Sequence, residues 1–271
     1  MHPRCCVSAI STFRLTLPED LAFWRTHGID TVGVSVAKLE AFGWNEGAPL
    51  ISAAQENGLR VADLIGLSPF HLAHPERWEA QRERLVRAVE TAVTLGVRCV
   101  VFTTGPFAPL SWDEAAEGFT TALAPVLAEA RANNVDFAIE HTNSLRVDVG
   151  FVHTLRDAID LARVLDTTVC MEVNACWAER NLAATIRDGI DRIRLVQVSD
   201  FRVGTIASSQ RLVPGDGDIP LPRIIGELVA AGYEGVFELE LIGDPIVEEG
   251  YDAAVPRAVA RLSELLDKAG A

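Results

Sequence analysis

Eight times along the chain an apolar, β-rich run is followed by an amphipathic stretch rich in Ala, Leu, Arg and Glu. No other feature constrains the fold as strongly. A strand whose connection is a helix pairs parallel to the next strand, and the helices then cover the sheet. The apolar runs predict strands at 5–10, 31–35, 59–65, 97–103, 135–140, 168–173, 193–199 and 236–241. The helical stretches predict helices at 18–27, 50–57, 75–95, 112–133, 151–165, 179–188, 221–231 and 252–269. Gly28, Gly58, Gly96 and Gly232 stand just past four of these, where a helix commonly ends on a left-handed residue. Ser111 and Glu114 have the spacing of a capping box. Eight such units without a linker, in 271 residues, are the size of one closed (β/α)8 TIM barrel, so 1–271 reads as a single α/β domain. An open doubly wound sheet is the alternative. It usually carries a glycine-rich phosphate turn after an early strand, whereas here the first strand runs into Ser11-Thr12-Phe13-Arg14.

Charge narrows the partners. The formal net charge is −14, and the basic residues are 22 Arg with only Lys38 and Lys268, none of them in a basic run. Such a surface repels phosphate backbones and anionic membranes, so neither nucleic acid nor membrane is an expected partner. No stretch approaches the roughly 18 apolar residues of a membrane span, and MHPRCCVSAIS lacks the apolar core of a signal peptide. Cys5, Cys6, Cys99, Cys170 and Cys176 include no C-x-x-C pair, and read as buried reduced thiols of a cytoplasmic protein. A homo-oligomer stays open.

A barrel places chemistry at the C-terminal ends of its strands. Strand four ends at Thr103-Thr104-Gly105, strand five at Glu140-His141-Thr142-Asn143, strand six at Glu172-Val173-Asn174, and strand seven contains Gln197-Val198-Ser199-Asp200. Strand eight carries both Glu238 and Glu240, which share one face, so the sequence does not say which of them reaches the rim. An acidic side chain in an apolar strand is costly unless paired or metal-bound. A single one is often only the partner of an arginine, but a set of them at consecutive strand ends points to a shared cation. Oxygen donors without His or Cys favour a hard ion, Mg2+ or Mn2+.

Five pieces carry a family resemblance. Glu140-His141-Thr142-Asn143 is similar to an E-P-x-N motif, and Met171-Glu172-Val173 to a strand-six acid. Gln197 and Asp200 stand as on a strand seven that usually carries His. Pro214-Gly215-Asp216-Gly217-Asp218-Ile219 is like P-G-x-G-x-I, and 232–240 is like G-Y-x-G-x-x-x-x-E, ending on Glu240 rather than Glu238. On these the chain, over nearly its full length, resembles the sugar phosphate isomerase/epimerase superfamily, the xylose isomerase-like TIM barrels. The resemblance implies a divalent metal, Mn2+ or Mg2+, held by Glu140, Glu172, Gln197 and Glu240, with Glu140 and Glu240 as the catalytic acid–base pair. It implies proton removal beside the carbonyl of a small polyhydroxy compound (a sugar, keto-acid or cyclitol) through a metal-stabilised enediolate. Return of the proton gives an isomerase or epimerase. Loss of a leaving group would give a lyase, of the keto-inositol dehydratase or sugar–aglycone cleaving kind. An endonuclease of the same barrel superfamily is the remote alternative, short of histidine and basic charge here. The chain departs from the pattern in having Glu172 for the usual Asp, Gln197 for the usual His (as in the hydroxypyruvate isomerase branch), and Ala175 where a histidine often helps hold substrate.

Around this core, His141, Asn143, Asn174 and Arg211 are the expected substrate contacts. His141 should point away from Glu140 in an extended strand, as a hydrogen-bonding support rather than a ligand. Arg146 and Arg211 each offer a planar fork for a carboxylate or phosphate, or else an Arg–Asp pair. His153 and Arg156 read as solvated or substrate-facing. Phe13 and Trp177 read as packing that could also wall a pocket, and Lys38 is expected to be exposed.

Overall fold

The computed structural model describes residues 1–67, 70–207 and 209–271. Eight parallel strands close into one barrel: β1 Cys5–Ser8, β2 Thr31–Ser35, β3 Arg60–Leu67, β4 Cys99–Thr103, β5 Asp136–Glu140, β6 Thr168–Glu172, β7 Ile193–Val198 and β8 Phe237–Leu239. Closure is made by β1 on β8, with Cys5 opposite Phe237 and Val7 opposite Leu239. The expected strands are all present, and the open-sheet alternative falls with the closed order of pairing.

Period-2 alternation divides the strand residues between two cores. Val7, Val34, Phe102, Ile139, Met171, Val198 and Leu239 face outward into the layer beneath the helices. Ile65, Cys99, Val101, Ala138, Cys170 and Leu195 form a smaller cluster inside the barrel. The inward positions that continue this register are polar: Cys6 on β1, Asp63 on β3, Glu140 on β5, Glu172 on β6, Gln197 on β7 and Glu238 on β8, all buried. All five cysteines are buried and free. Among the described residues, no helix is long and apolar enough to cross a membrane.

Local chemistry explains most departures from the expected boundaries. The first strand stops at Ser8, whose side chain accepts from Ile10 N, and Ala9–Thr12 winds into a 3-10 turn. Ser35 caps an unforeseen helix, Val36–Phe42, directly after β2, and the helix expected at 50–57 already starts at Trp44. The Ser111–Glu114 capping box is formed, with Ser111 N donating to Glu114 at 2.8 Å. Thr154, not residue 151, opens the helix Leu155–Leu165. The stretch after β6 splits into Val173–Cys176 and Leu182–Gly189. A short helix, Asp244–Glu249, precedes the last one, Tyr251–Ala269.

Lys38 is not exposed. Its Nζ donates to Asp20 at 2.7 Å, to Ala9 O at 2.8 Å and to Thr12 O at 2.9 Å, and Asp20 also accepts from Thr12 Oγ1 at 2.6 Å. The lysine ties the turn after β1 to the helix Leu17–Thr26, a structural role that leaves it no part in the chemistry at the mouth.

Candidate active site at the mouth of the barrel

A cavity of about 200 Å³ opens at the C-terminal ends of the strands. Glu140, Glu172, Glu240, Asn143, Asn174, Arg146 and Arg211 line it, with Ile10, Ile65 and Ile242 supplying apolar wall. A larger groove, about 640 Å³ and mostly apolar, lies between the helices Leu17–Thr26 and Trp44–Glu56. It meets the chain where β2 and β3 begin, at the opposite end of the barrel from the polar groups.

Glu140 ends β5, Glu172 ends β6, and Glu240 follows β8, so three strands deliver three carboxylates to one point. One oxygen of each lies within 4.8 Å of the others. Arg211 stands among them: its Nη1 donates to Glu172 Oε2 at 2.6 Å, to Glu240 O at 3.2 Å and to Glu240 Oε2. Glu172 Oε1 accepts from Asn174 N at 2.8 Å, which fixes the other edge of that carboxylate.

The charge is lopsided, with three carboxylates around one guanidinium. Burial, then Glu240 and Glu172, push the Glu140 carboxyl well above its ordinary range. Burial raises Glu172 to about 8 against the pull of Arg211. Burial works against the Arg211 charge, yet Glu172, Glu240 and Glu140 outweigh it and raise its pKa. A further positive charge is what this cluster lacks. An all-oxygen donor set of this spacing suits a hard divalent cation. Gln197 adds to the fit: it is fully buried, neither amide atom makes a hydrogen bond, and its register sets it opposite Glu172 on one side and Glu238 on the other.

Arg211 owes its place to Asp200. The Asp200 carboxylate accepts from Phe201 N at 2.8 Å, Gly215 N at 2.8 Å and Ile219 N at 3.0 Å, and a Cβ at Gly217 would collide with it. Its backbone pairs with Leu212, while Arg211 N donates to Ile242 O at 2.9 Å. The long segment after β7 is thus hung from one side chain. Asp200→Ala leaves three backbone donors without an acceptor and should cost roughly 1–3 kcal/mol. Limited proteolysis checks this: cleavage between 202 and 207 should accelerate in the variant and stay slow in the parent.

His141 does not line the cavity. It is fully buried behind β6, where its Nε2 accepts from Glu172 N at 3.2 Å. Burial, then His153, lower it to about 3, so the ring is neutral with its proton on Nδ1. It supports Glu172 from behind, as its alternation suggested, and does not meet substrate from there. Arg146 pairs with Asp148 at 2.9 Å on the cavity wall, and Arg156 is turned away into a pair with Asp188. His153 Nδ1 lies 3.2 Å from Thr142 O. Phe13 is 62% exposed, and neither it nor Trp177 lines the cavity.

Glu238 answers the ambiguity on β8. Both glutamates point inward, Glu240 at the rim and Glu238 one level deeper. There Glu238 meets two residues that the sequence did not single out for chemistry, Asp63 and Cys6, again with one donor atom of each within 4.8 Å of the others. Burial raises Asp63 to about 7 and pushes Glu238 well above the carboxylate range, in each case ahead of any neighbour. The only sequence signal for Asp63 was a lone acid within Val61-Ala62-Asp63-Leu64-Ile65.

Comparison with known proteins agrees with this architecture. The family model for the xylose isomerase-like TIM barrel matches residues 21–267. Among solved structures, protein SMc04130 from Sinorhizobium meliloti 1021 superposes with a TM-score of 0.87 at 25% identity, over 97% of this chain and 98% of that one. IolI with a bound zinc atom gives 0.84 at 17%, over 98% of each chain. The 3-keto-D-glucoside 4-epimerase YcjR from E. coli gives 0.75 at 18%, over 97% and 99%. At these last identities the likeness is one of fold. No curated relative matches the sequence.

Proposed function

The chain belongs to the xylose isomerase-like TIM barrel family, and from that premise we propose that it is a divalent-metal-dependent isomerase or epimerase of a small polyhydroxy carbonyl compound. The observation that carries this reading is the convergence of Glu140, Glu172 and Glu240 within 4.8 Å at the strand ends. The zinc in IolI and the epimerase among the structural neighbours support it.

Glu140, Glu172 and Glu240 would hold the ion, with the amide oxygen of Gln197 as the fourth donor. Mn2+ or Mg2+ suits these oxygens best. Bound there, the ion supplies Lewis-acid polarisation of adjacent carbonyl and hydroxyl oxygens. The chain's own groups do the rest. Glu140 and Glu240 approach from β5 and β8, so one takes the proton from the carbon beside the carbonyl and the other returns a proton. Arg211 brings a fixed positive charge to the wall of the cavity. Asn143 and Asn174 offer side-chain amides to substrate hydroxyls, and the Asn174 Nδ2 atom is buried without a partner. Ala175 lines the cavity where a histidine would fill it, so the hydroxyl nearest that wall meets a methyl group.

The absence of histidine among the described lining residues and the net charge of −14 argue against a nuclease. The lyase alternative shares the same first proton transfer, and product analysis separates the two. The test is exchange: substrate deuterated beside the carbonyl should lose its label to water when the metal is present. A panel of keto-sugars, keto-acids and keto-inositols that bind but do not exchange would overturn the reading.

Metal binding should depend on pH, with a definite sign. Burial raises Glu172 to about 8 and pushes Glu140 well above its ordinary range, so towards lower pH both hold protons that the ion must displace. Affinity for Mn2+ should therefore rise between pH of about 6 and about 8, by about tenfold per unit for each coupled proton. Calorimetry in buffers of different ionisation enthalpy should register proton release. Affinity that is flat across this range would show that the carboxylates are already ionised without the ion.

A further inference from the structure

Beneath the mouth the barrel holds a second polar group that the proposed reaction does not use. Cys6 on β1, Asp63 on β3 and Glu238 on β8 are each fully buried, and a thiol sulfur and two carboxylate oxygens fall within 4.8 Å of one another. Cys6 Sγ lies 3.8 Å from Glu238 Oε1. Among the described residues, neither oxygen of Asp63 has a hydrogen-bond partner, nor does Glu238 Oε2. Among the described residues no arginine, lysine or histidine forms an ion pair with either acid. A buried acid such as Asp63, with neither a close hydrogen bond nor a counterion among the described residues, is rare, because it forfeits its hydration without replacement.

Two features outside the trio point to an occupant. Gly33 pairs with Asp63 across β2 and β3, and a Cβ at Gly33 would collide with Glu238 Oε1 and Asp63 Oδ1. The missing side chain is what lets both carboxylates approach. On the other side, the Gln197 amide stands opposite Glu238 in the β7–β8 register, buried and without a hydrogen bond. If its oxygen serves the mouth, only its nitrogen remains for Glu238. A donor there favours the ionised carboxylate, the form a cation needs.

We propose that Cys6, Asp63 and Glu238 form a second metal site inside the barrel, one level below the mouth, which takes a borderline divalent ion such as Zn2+ or Co2+. A mixed set of one sulfur and two oxygens favours such an ion over Mg2+, whereas the all-oxygen mouth prefers a harder one. Binding forms one metal–sulfur and two metal–oxygen bonds, and the Cys6 proton and any proton held by the acids leave to solvent. The barrel then has two stacked cation positions of different hardness, with Gln197 between them.

Co2+ is the probe, because thiolate ligation to it gives a near-ultraviolet charge-transfer band that oxygen ligation does not. The full chain, stripped by chelator, is titrated with Co2+. The band should grow to saturation within two equivalents, one for each position. It should be lost in Cys6→Ser and in Asp63→Asn, and should persist in Glu240→Gln, which alters only the mouth. The persistence keeps this inference separate from the enzymatic reading: if the mouth binds no metal, the band still appears. Should the deep variants not fold, X-ray absorption of the zinc-loaded parent decides, with a zinc–sulfur distance of about 2.3 Å expected. A parent protein without the band, a band that survives Cys6→Ser, or zinc bound by oxygen and nitrogen alone would each overturn the proposal. The trio would then be a proton-sharing acid pair beside an inert thiol.

Discussion

Glu140→Gln should lower deuterium exchange from substrate by a factor of about 10² to 10⁴, the range expected when a positioned acid–base group is removed. The substitution keeps the shape of the side chain and its place at the end of β5, so the cavity is preserved. It removes the charge that, under the proposed function, both holds a metal and accepts the proton. Those two losses separate by measurement: exchange is compared with bound Mn2+, quantified by elemental analysis, at saturating metal. A variant that binds metal but does not exchange has lost its base. A variant that loses both in step has lost a ligand, and the role of base passes to Glu240. Glu240→Gln serves as the companion, since it sits across the same cavity against Arg211. Exchange in Glu140→Gln at the parent rate would remove Glu140 from the chemistry.

Lys38→Met should destabilise the fold by about 3–5 kcal/mol, the usual cost of leaving one partner of a buried ion pair alone. Asp20 is fully buried, and burial already holds its carboxyl up at about 6 with the lysine present. The methionine also leaves the carbonyls of Ala9 and Thr12 without their donor. Thermal unfolding should shift down by roughly 10 °C for a domain of this size. The double variant Lys38→Met, Asp20→Leu should regain much of the loss, because a buried pair replaced whole is often near neutral. A single variant that unfolds within a degree of the parent would mean that the pair contributes nothing.

The barrel was legible because its physics is local. Each strand announces itself by an apolar run, and the capping box at Ser111 is complete within four residues. Glu140 and Glu172 were visible for the same reason, each a charge set at the end of an apolar strand, whereas on strand eight Glu238 and Glu240 stayed open and only the family resemblance singled out Glu240. What stayed hidden depends on contacts between distant segments. Asp63 looked like an isolated acid, and only the register of β2 on β3 turns it toward Glu238. Cys6 reads as apolar until its neighbours are known. Lys38 carries no local mark of burial, since the carbonyls it meets belong to a turn some thirty residues earlier in the chain, at Ala9 and Thr12. The position of Arg211 is set by hydrogen bonds that Asp200 accepts from amides as far away as Ile219, which no spacing rule reveals.

The suspension of the segment after β7 from Asp200 has a consequence for how such a barrel can change. The anchor grips Phe201, Gly215 and Ile219, and the backbone pairing holds Leu212. Between these ties, Val203 and Ile206 are 63% and 85% exposed. Those positions carry little of the fold, yet they belong to the segment that delivers Arg211 to the cavity. Variation can accumulate there without disturbing the carboxylates or the charge that faces them. The lining of the cavity can thus change in this stretch while the carboxylates stay where β5 and β8 hold them. The separation of what must persist from what is free to drift is written into a single aspartate.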